Sequence, residues 1–283
     1  MEKDRTLWLV RNPASGSNDD ATIDALHECC GANGFSIDRI IAFPDDDLVT
    51  PEELDRAGVE TVAIFSGDGT MNAQIPALYG WGGKILPLPG GTMNLLSRRL
   101  HGEASVEEIV ARAAGGTARR TRPNVIRSEY GDAFSGILAG PAARWGDVRE
   151  AMRDFDIIGV ASGTVEAVAE STTGVMARCE DPRVGRDEGF PLILLSPCPE
   201  GIALTAYYSD TAGKLVQQVF ALMKRDFREG PHEDLGAFRE VTIASVENAQ
   251  LDLLIDGEQA VGERRVRFDT VECEVDLVTT IDG

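Results

Sequence analysis

Residues 65–74 read FSGDGTMNAQ and continue an apolar run, VETVAIF, at 59–65. A short apolar run ending in glycine reads as a buried strand, and TMNAQIPALYG behind it as a helix that Pro76 would kink. Asp68 is thereby set between Gly67 and Gly69 at the carboxyl end of a strand. Two chemistries place an acid there. It can face a metal ion or take a proton from an attacking hydroxyl, or it can cap a helix N-terminus. The residues alone leave both open.

The same strand–turn–helix rhythm surrounds this stretch. TLWLV (6–10), IDRIIAF (37–43) and KILPLP (84–89) read as further strands. DDATIDALHECCGANG, PEELDRAG, GTMNLLSRRLHG and SVEEIVARAAGG read as helices. Such alternation predicts a parallel sheet covered on both faces. After about residue 122 short strand-like runs dominate, among them NVIRSEY, DAFSGILAG, GTVEAVAES, PLILLSP, VTIASV and LDLLID. Two helical stretches intervene, GDVREAMRDFD and AGKLVQQVFALMKRDF. The expected architecture is an α/β domain over 1–122 followed by a β-rich, sandwich-like domain over 123–274.

Three glycine-rich turns follow strands of the α/β part: NPASGS, SGDGTMN and PGGTMN. In open α/β sheets ligands bind beyond the carboxyl ends of the strands, so all three turns face one edge. Glycines let the backbone approach a ligand, helix N-termini add positive potential, and Ser or Thr adds a hydroxyl. That combination suits a polyphosphate. The common alternatives have no motif here: there is no GxxxxGK[ST], no strand-linked GxGxxG, no HExxH and no GxSxG.

Bulk composition narrows the classes. The net charge of −20 argues against nucleic acid as a partner. Five cysteines without a CxxC pair and three scattered histidines give neither a disulfide framework nor a zinc pattern. No signal-peptide pattern or long apolar span is present, which reads as a cytoplasmic protein. The stretch 98–127 holds seven arginines against three glutamates. It is either a solvated face balancing acidic neighbours or a landing patch for an anionic surface.

Four elements in order, Asn12-Pro13-Ala14-Ser15-Gly16, Ser66-Gly67-Asp68-Gly69-Thr70, Gly91-Thr92-Met93-Asn94 and Asp256-Gly257-Glu258, resemble the diacylglycerol kinase catalytic-domain family, which includes bacterial soluble lipid kinases and the sphingosine and ceramide kinases. The resemblance implies an ATP- and Mg²⁺-dependent lipid kinase that phosphorylates a hydroxyl of a diacylglycerol-like or sphingoid lipid. It implies nucleotide contacts at Asn12, Pro13, Ser15, Gly16, Ser66, Gly67, Gly69, Thr70, Asn72, Gly91, Thr92 and Asn94. Catalytic roles fall to Asp68, Asp256 and Glu258, with either Asp68 or Glu258 as general base. Asp256 and Glu258 would share one face of an extended chain, although Asp-Gly between apolar runs is also a hairpin-turn signal. Also implied are a tail at about 275–283 returning to the first domain, peripheral membrane contact and a homodimer. The chain departs from the pattern in four places, one being the second-strand region RIIAFPDDD, which lacks the family's threonine. An extra residue lies in Pro89-Gly90-Gly91-Thr92, Gln74 stands where the family often has Glu, and Glu200 stands for Asp in the metal loop of the second domain. An NAD-kinase-like phosphotransferase and a non-catalytic nucleotide- or lipid-binding relative are the alternatives.

Overall fold

The structure is a computed structural model and describes residues 5–15, 19–140, 176–207 and 232–281. The expected helices GDVREAMRDFD and AGKLVQQVFALMKRDF and the strand GTVEAVAES lie outside these residues. The chain divides into two compact units, Met1–Pro123 with Glu272–Gly283, and Asn124–Val271.

The first unit alternates β1 (Arg5–Arg11), α1 (Asp20–Ala32), β2 (Phe35–Ala42), α2 (Pro51–Ala57), β3 (Thr61–Ser66), α3 (Asp68–Ala77), β4 (Lys84–Pro89), α4 (Leu95–His101) and α5 (Val106–Ala114), then the short strand β5 (Arg119–Thr121). Its sheet runs β2-β1-β3-β4 in parallel and is completed by β17 (Asp276–Thr279) and β5. The last strand of the chain is parallel to β4 and antiparallel to β5, and lies between them. One face of the sheet packs Leu7, Leu9, Phe65 and Leu88 against Ile23 and Leu26 of α1 and Ile109 and Val110 of α5. The alternate residues Trp8, Val10, Val62 and Ile64 point the other way and are equally buried. Both faces are therefore covered, which is why β3 is buried throughout and apolar from Val62 to Phe65 instead of alternating.

The helices start where the chain can cap them. Thr50 and Ser105 form capping boxes with Glu53 and Glu108, and Asp19 caps α1 by accepting from the Thr22 amide. Gly58, with φ 67°, ends α2 in the left-handed conformation that glycine adopts without strain. Helix α4 is tied at its far end to the returning C-terminal segment. The Thr279 hydroxyl donates to Leu100 O at 2.7 Å, the Thr280 amide donates to the same carbonyl at 3.1 Å, and His101 Nδ1 meets the Thr280 hydroxyl at 3.0 Å. Burial holds His101 down to about 4, so the imidazole is neutral in this contact.

The second unit is a two-sheet sandwich. One sheet orders β12 (His232–Phe238), β11 (Gly201–Tyr207), β10 (Leu192–Cys198), β8 (Ile137–Ala139), β14 (Leu251–Ile255) and β15 (Glu258–Gly262). The other orders β7 (Gly131–Ala133), β6 (Asn124–Ser128), β16 (Arg265–Glu272), β13 (Glu240–Ser245) and β9 (Ala177–Asp181). Ile193, Leu195, Ile202 and Leu253 of the first sheet share one core with Ile126, Ile243, Val266 and Phe268 of the second. This is the expected class: an α/β unit with a parallel sheet flanked by helices, and a β-rich sandwich.

Gln74 has a structural reason to be an amide. It is fully buried; its Oε1 accepts the Val49 amide and its Nε2 donates to the Val49 carbonyl, both at 2.9 Å. One side chain thus completes both backbone bonds of the segment leading into α2. An ionised Glu cannot donate to the Val49 carbonyl. A buried Glu also has its pKa raised, so its share of stability is present at low pH and lost as pH rises through the folded-state pKa. Gln74→Glu is expected to cost about 2–4 kcal/mol at pH 8 and less at pH 5, read by urea denaturation at both pH values.

Candidate functional site

The three turns begin at one level. Arg11 pairs with Phe65 across β1 and β3, and Phe65 with Leu88 across β3 and β4. The chain therefore leaves the sheet at Asn12, Ser66 and Pro89 in neighbouring strands. The sheet order puts the topological switch point between β1 and β3, since β1 connects outward to β2 while β3 leads to β4 on the other side. Open α/β sheets bind ligands at that place.

Side chains and backbone lock the turns together. The Asn12 amide donates to the Thr70 hydroxyl at 3.3 Å, and the Ser66 hydroxyl donates to the same oxygen at 2.9 Å. Ser15 Oγ donates to Gly90 O at 3.1 Å. A Cβ on Gly91 would lie 2.4 Å from Gly67 Cα, and one on Gly90 would lie 2.7 Å from the Ser66 nitrogen. Real Cβ atoms do not approach backbone so closely, so these two glycines are required by turn-on-turn packing. The extra residue in Pro89-Gly90-Gly91-Thr92 thereby gains a role: Gly90 lies on the Phe65–Ser66 backbone, and its amide donates to Ser66 O at 3.2 Å. Asn94, left-handed at φ 53°, closes the loop on itself, accepting from the Gly91 amide at 2.8 Å and donating to the Gly91 carbonyl at 2.7 Å.

Asp68 is buried, and its carboxylate turns toward α4. Oδ2 accepts the Leu95 amide and Oδ1 the Leu96 amide, both at 3.0 Å. It thus fills the capping position at the start of α4, where Asn94 makes no side-chain cap. Burial pushes the Asp68 carboxyl above the usual carboxylate range, while the amides of Leu96 and Leu95 oppose that rise. The N-terminus of α3 is different. Its cap residue, Gly67, offers no side-chain oxygen, so no side chain of the cap quenches the positive end of this ten-residue helix. Pro13, Gly69 and Thr92 are exposed around it, and Asn12, Ser15, Gly67, Asn72, Gly91 and Asn94 are half-buried. Ser66 and Thr70 are buried, and Gly16 lies outside the described residues.

In the second unit, Asp256 and Gly257 form the two-residue turn between β14 and β15, with φ of 46° and 90°, and Ile255 pairs with Glu258 across it. The hairpin-turn reading therefore describes this segment. The extended-chain reading, with Asp256 and Glu258 on one face, is corrected. The Asp256 carboxylate folds back to accept the amides of Phe134 at 2.6 Å and of Ser135 and Gly136 at 2.8 Å, while Glu258 is exposed at the head of β15. Residues 134–136 carry no motif of their own. Only the three-dimensional structure brings them to Asp256, some 120 residues away in sequence.

Glu200 is exposed in the two-residue turn Pro199–Glu200 between β10 and β11. No group of three or more His, Cys, Asp or Glu gathers among the described residues. In the arginine-rich stretch, Arg98 pairs with Glu103 at 2.6 Å, Arg122 with Asp276 at 2.7 Å, Arg120 with Asp276 at 3.4 Å and Arg127 with Asp132 at 2.7 Å. A face balanced by acids describes these four contacts.

Residues 6–123 match the model of the diacylglycerol kinase catalytic domain family. Two solved structures from Bacillus anthracis str. Sterne share the fold. One is a diacylglycerol kinase, with a TM-score of 0.60, 12% identity and 97% of each chain covered. The other is provisionally described as a diacylglycerol kinase, with a TM-score of 0.62, 12% identity and 99% of this chain and 96% of that one covered. No curated protein matches the chain.

The packing of the turns has a direct test. Gly91→Ala should destabilise the protein by about 1–3 kcal/mol, because Gly67 backbone occupies the space the methyl needs. Gly31→Ala, in α1 with nothing within 4 Å, should leave stability unchanged or raise it by up to about 1 kcal/mol. Thermal denaturation of the two variants against wild type reads both.

Proposed function

We propose that the chain is an ATP-dependent kinase that phosphorylates a hydroxyl of a diacylglycerol-like or sphingoid lipid, a reading supported by the match of residues 6–123 to the model of the diacylglycerol kinase catalytic domain. The observation that carries the reading is the convergence of three strand-to-helix turns, in register, around the switch point of the sheet. Phosphoryl transfer asks little covalent chemistry of a protein and much positioning. A rim whose turns are cross-linked through Asn12, Ser15, Ser66 and Thr70 supplies that positioning before ligand arrives. The α3 N-terminus, the exposed Gly69 backbone and the Thr92 hydroxyl would receive phosphate oxygens.

Mg²⁺, when bound, would supply positive charge that neutralises the nucleotide phosphates. Mg²⁺ held through nucleotide phosphates and water needs only one or two carboxylates, so the lack of an acidic trio among the described residues is compatible with it. The same property makes Glu200 unnecessary as a ligand.

The two candidate bases divide by environment. Asp68 has both oxygens on the amides of α4; we assign it the task of holding α4 and the Gly91–Asn94 loop. Asp256 holds the turn that precedes Glu258 in the same manner. Glu258, exposed at the strand head, is left as the proton acceptor for the lipid hydroxyl.

Incubation with labelled ATP, Mg²⁺, NAD and a panel of hydroxylated lipids should place label in the organic phase. Label appearing only on NAD in the aqueous phase would overturn the reading. Glu258→Gln should lower kcat by about 10²–10⁴-fold with an unchanged melting temperature, as removal of a general base does.

A further inference from the structure

A triphosphate brings several negative charges to a protein of net charge −20, and the rim must offer something in return. Across residues 11–20, 65–74 and 88–97, which hold all three turns, Arg11 is the only basic residue. The same stretches carry three acids, Asp19, Asp20 and Asp68. Asp68 is committed to α4, and Asp19 to the Thr22 amide and hydroxyl at the start of α1.

Arg11 is the last residue of β1, directly before Asn12 and level with Phe65 of β3. Its guanidinium reaches Asp20 at 3.3 Å from NH1. That pairing is weak on physical grounds. The Asp20 side chain is 95% exposed, and exposed ion pairs contribute little. The Arg11 side chain is only 20% exposed, and its Nε is buried with no hydrogen-bond partner among the described residues. A buried donor without an acceptor is destabilising, and native structures rarely keep one without cause. Arg11 is thus a cation held at the switch point, poorly compensated by the protein itself. A phosphate group could satisfy it through paired charge-assisted hydrogen bonds, which is the geometry guanidinium favours.

We infer that Arg11 is a further nucleotide-binding residue, whose guanidinium exchanges the exposed Asp20 carboxylate for a phosphate oxygen of the nucleotide. The inference rests on the reading of the rim as a nucleotide site. It adds the cationic contact that the glycine turns lack. The signal in the sequence is Arg11 itself, the lone base in RNPASGSNDD, which a search for glycines and hydroxyls passes over.

A structural role and a ligand-directed role make opposite forecasts for the two partners. If the Arg11–Asp20 pair only braces the turn, Arg11→Gln and Asp20→Asn should weaken nucleotide binding alike. If Arg11 turns to phosphate, Asp20 competes with the ligand. Calorimetric titration of the full chain with ATP, and with adenosine as a phosphate-free control, separates these cases. Arg11→Gln is expected to weaken ATP about tenfold or more while leaving adenosine unchanged. Arg11→Lys should fall between Arg11→Gln and wild type, and Asp20→Asn should bind ATP as tightly as wild type or more tightly. Thermal denaturation of each variant checks that it is folded, and Arg11→Lys carries the test if Arg11→Gln is not. Equal ATP affinity of wild type and the Arg11 variants would overturn the inference, and so would weakening by Asp20→Asn to match Arg11→Gln. Failure of the wild type to bind ATP at all would instead overturn the nucleotide reading beneath it.

Discussion

The Asp68 carboxylate, buried at the start of α3, accepts the first two amides of α4 and so joins the turn after β3 to the turn after β4. The neighbouring features depend on that bridge. It brings Gly91 against Gly67 so closely that position 91 has no room for a side chain at the contact, and it completes a helix whose own cap residue, Asn94, is spent on closing its loop. The cost of burying a carboxylate is offset by the N–H groups aimed at it. The far end of α4 is held by Thr279 and Thr280, so the last strand of the chain supports the same short helix from the other side. A loop fixed at both ends of its helix is a suitable platform for phosphate, because its donors need no rearrangement when ligand arrives.

This arrangement alters how the two acidic motifs are understood. A carboxylate flanked by glycines next to a proposed phosphate site invites assignment as a base, yet a base needs an oxygen available to the proton it takes. Asp68 and Asp256 share one device: each presents both oxygens to backbone amides of a segment distant in sequence, and each thereby positions a turn. Gln74 extends the pattern with an amide in place of a carboxylate, since Val49 offers both a donor and an acceptor. The residue type at each place follows from the partners that must be satisfied.

Much of the first unit was legible because its signals are local. Short apolar runs located β1 to β4, and helical patterns between them located the helices. Convergence of the three turns was legible from strand-to-helix order alone, since parallel strands share one carboxyl edge. The strands β5, β12 and β15 carried no apolar run. HEDLGAF in β12 buries Leu235 at an edge, and EQAVG in β15 exposes Val261. An edge strand needs little apolar surface, so composition does not announce it. What could not be read was direction. The sequence held Asp68 and Asp256, but whether each faced a ligand or a backbone amide depended on chain packed against them from elsewhere in the fold.

The central claim is that the turns after β1, β3 and β4 form a single phosphate-binding rim. Amide resonances of uniformly ¹⁵N-labelled protein, followed during titration with ATP and Mg²⁺, test it most directly. The account predicts that Ser15, Gly67, Gly69, Thr70, Gly91 and Thr92 shift together along one saturation curve. Shifts confined to one turn, or lying on other strands with these amides unmoved, would contradict it.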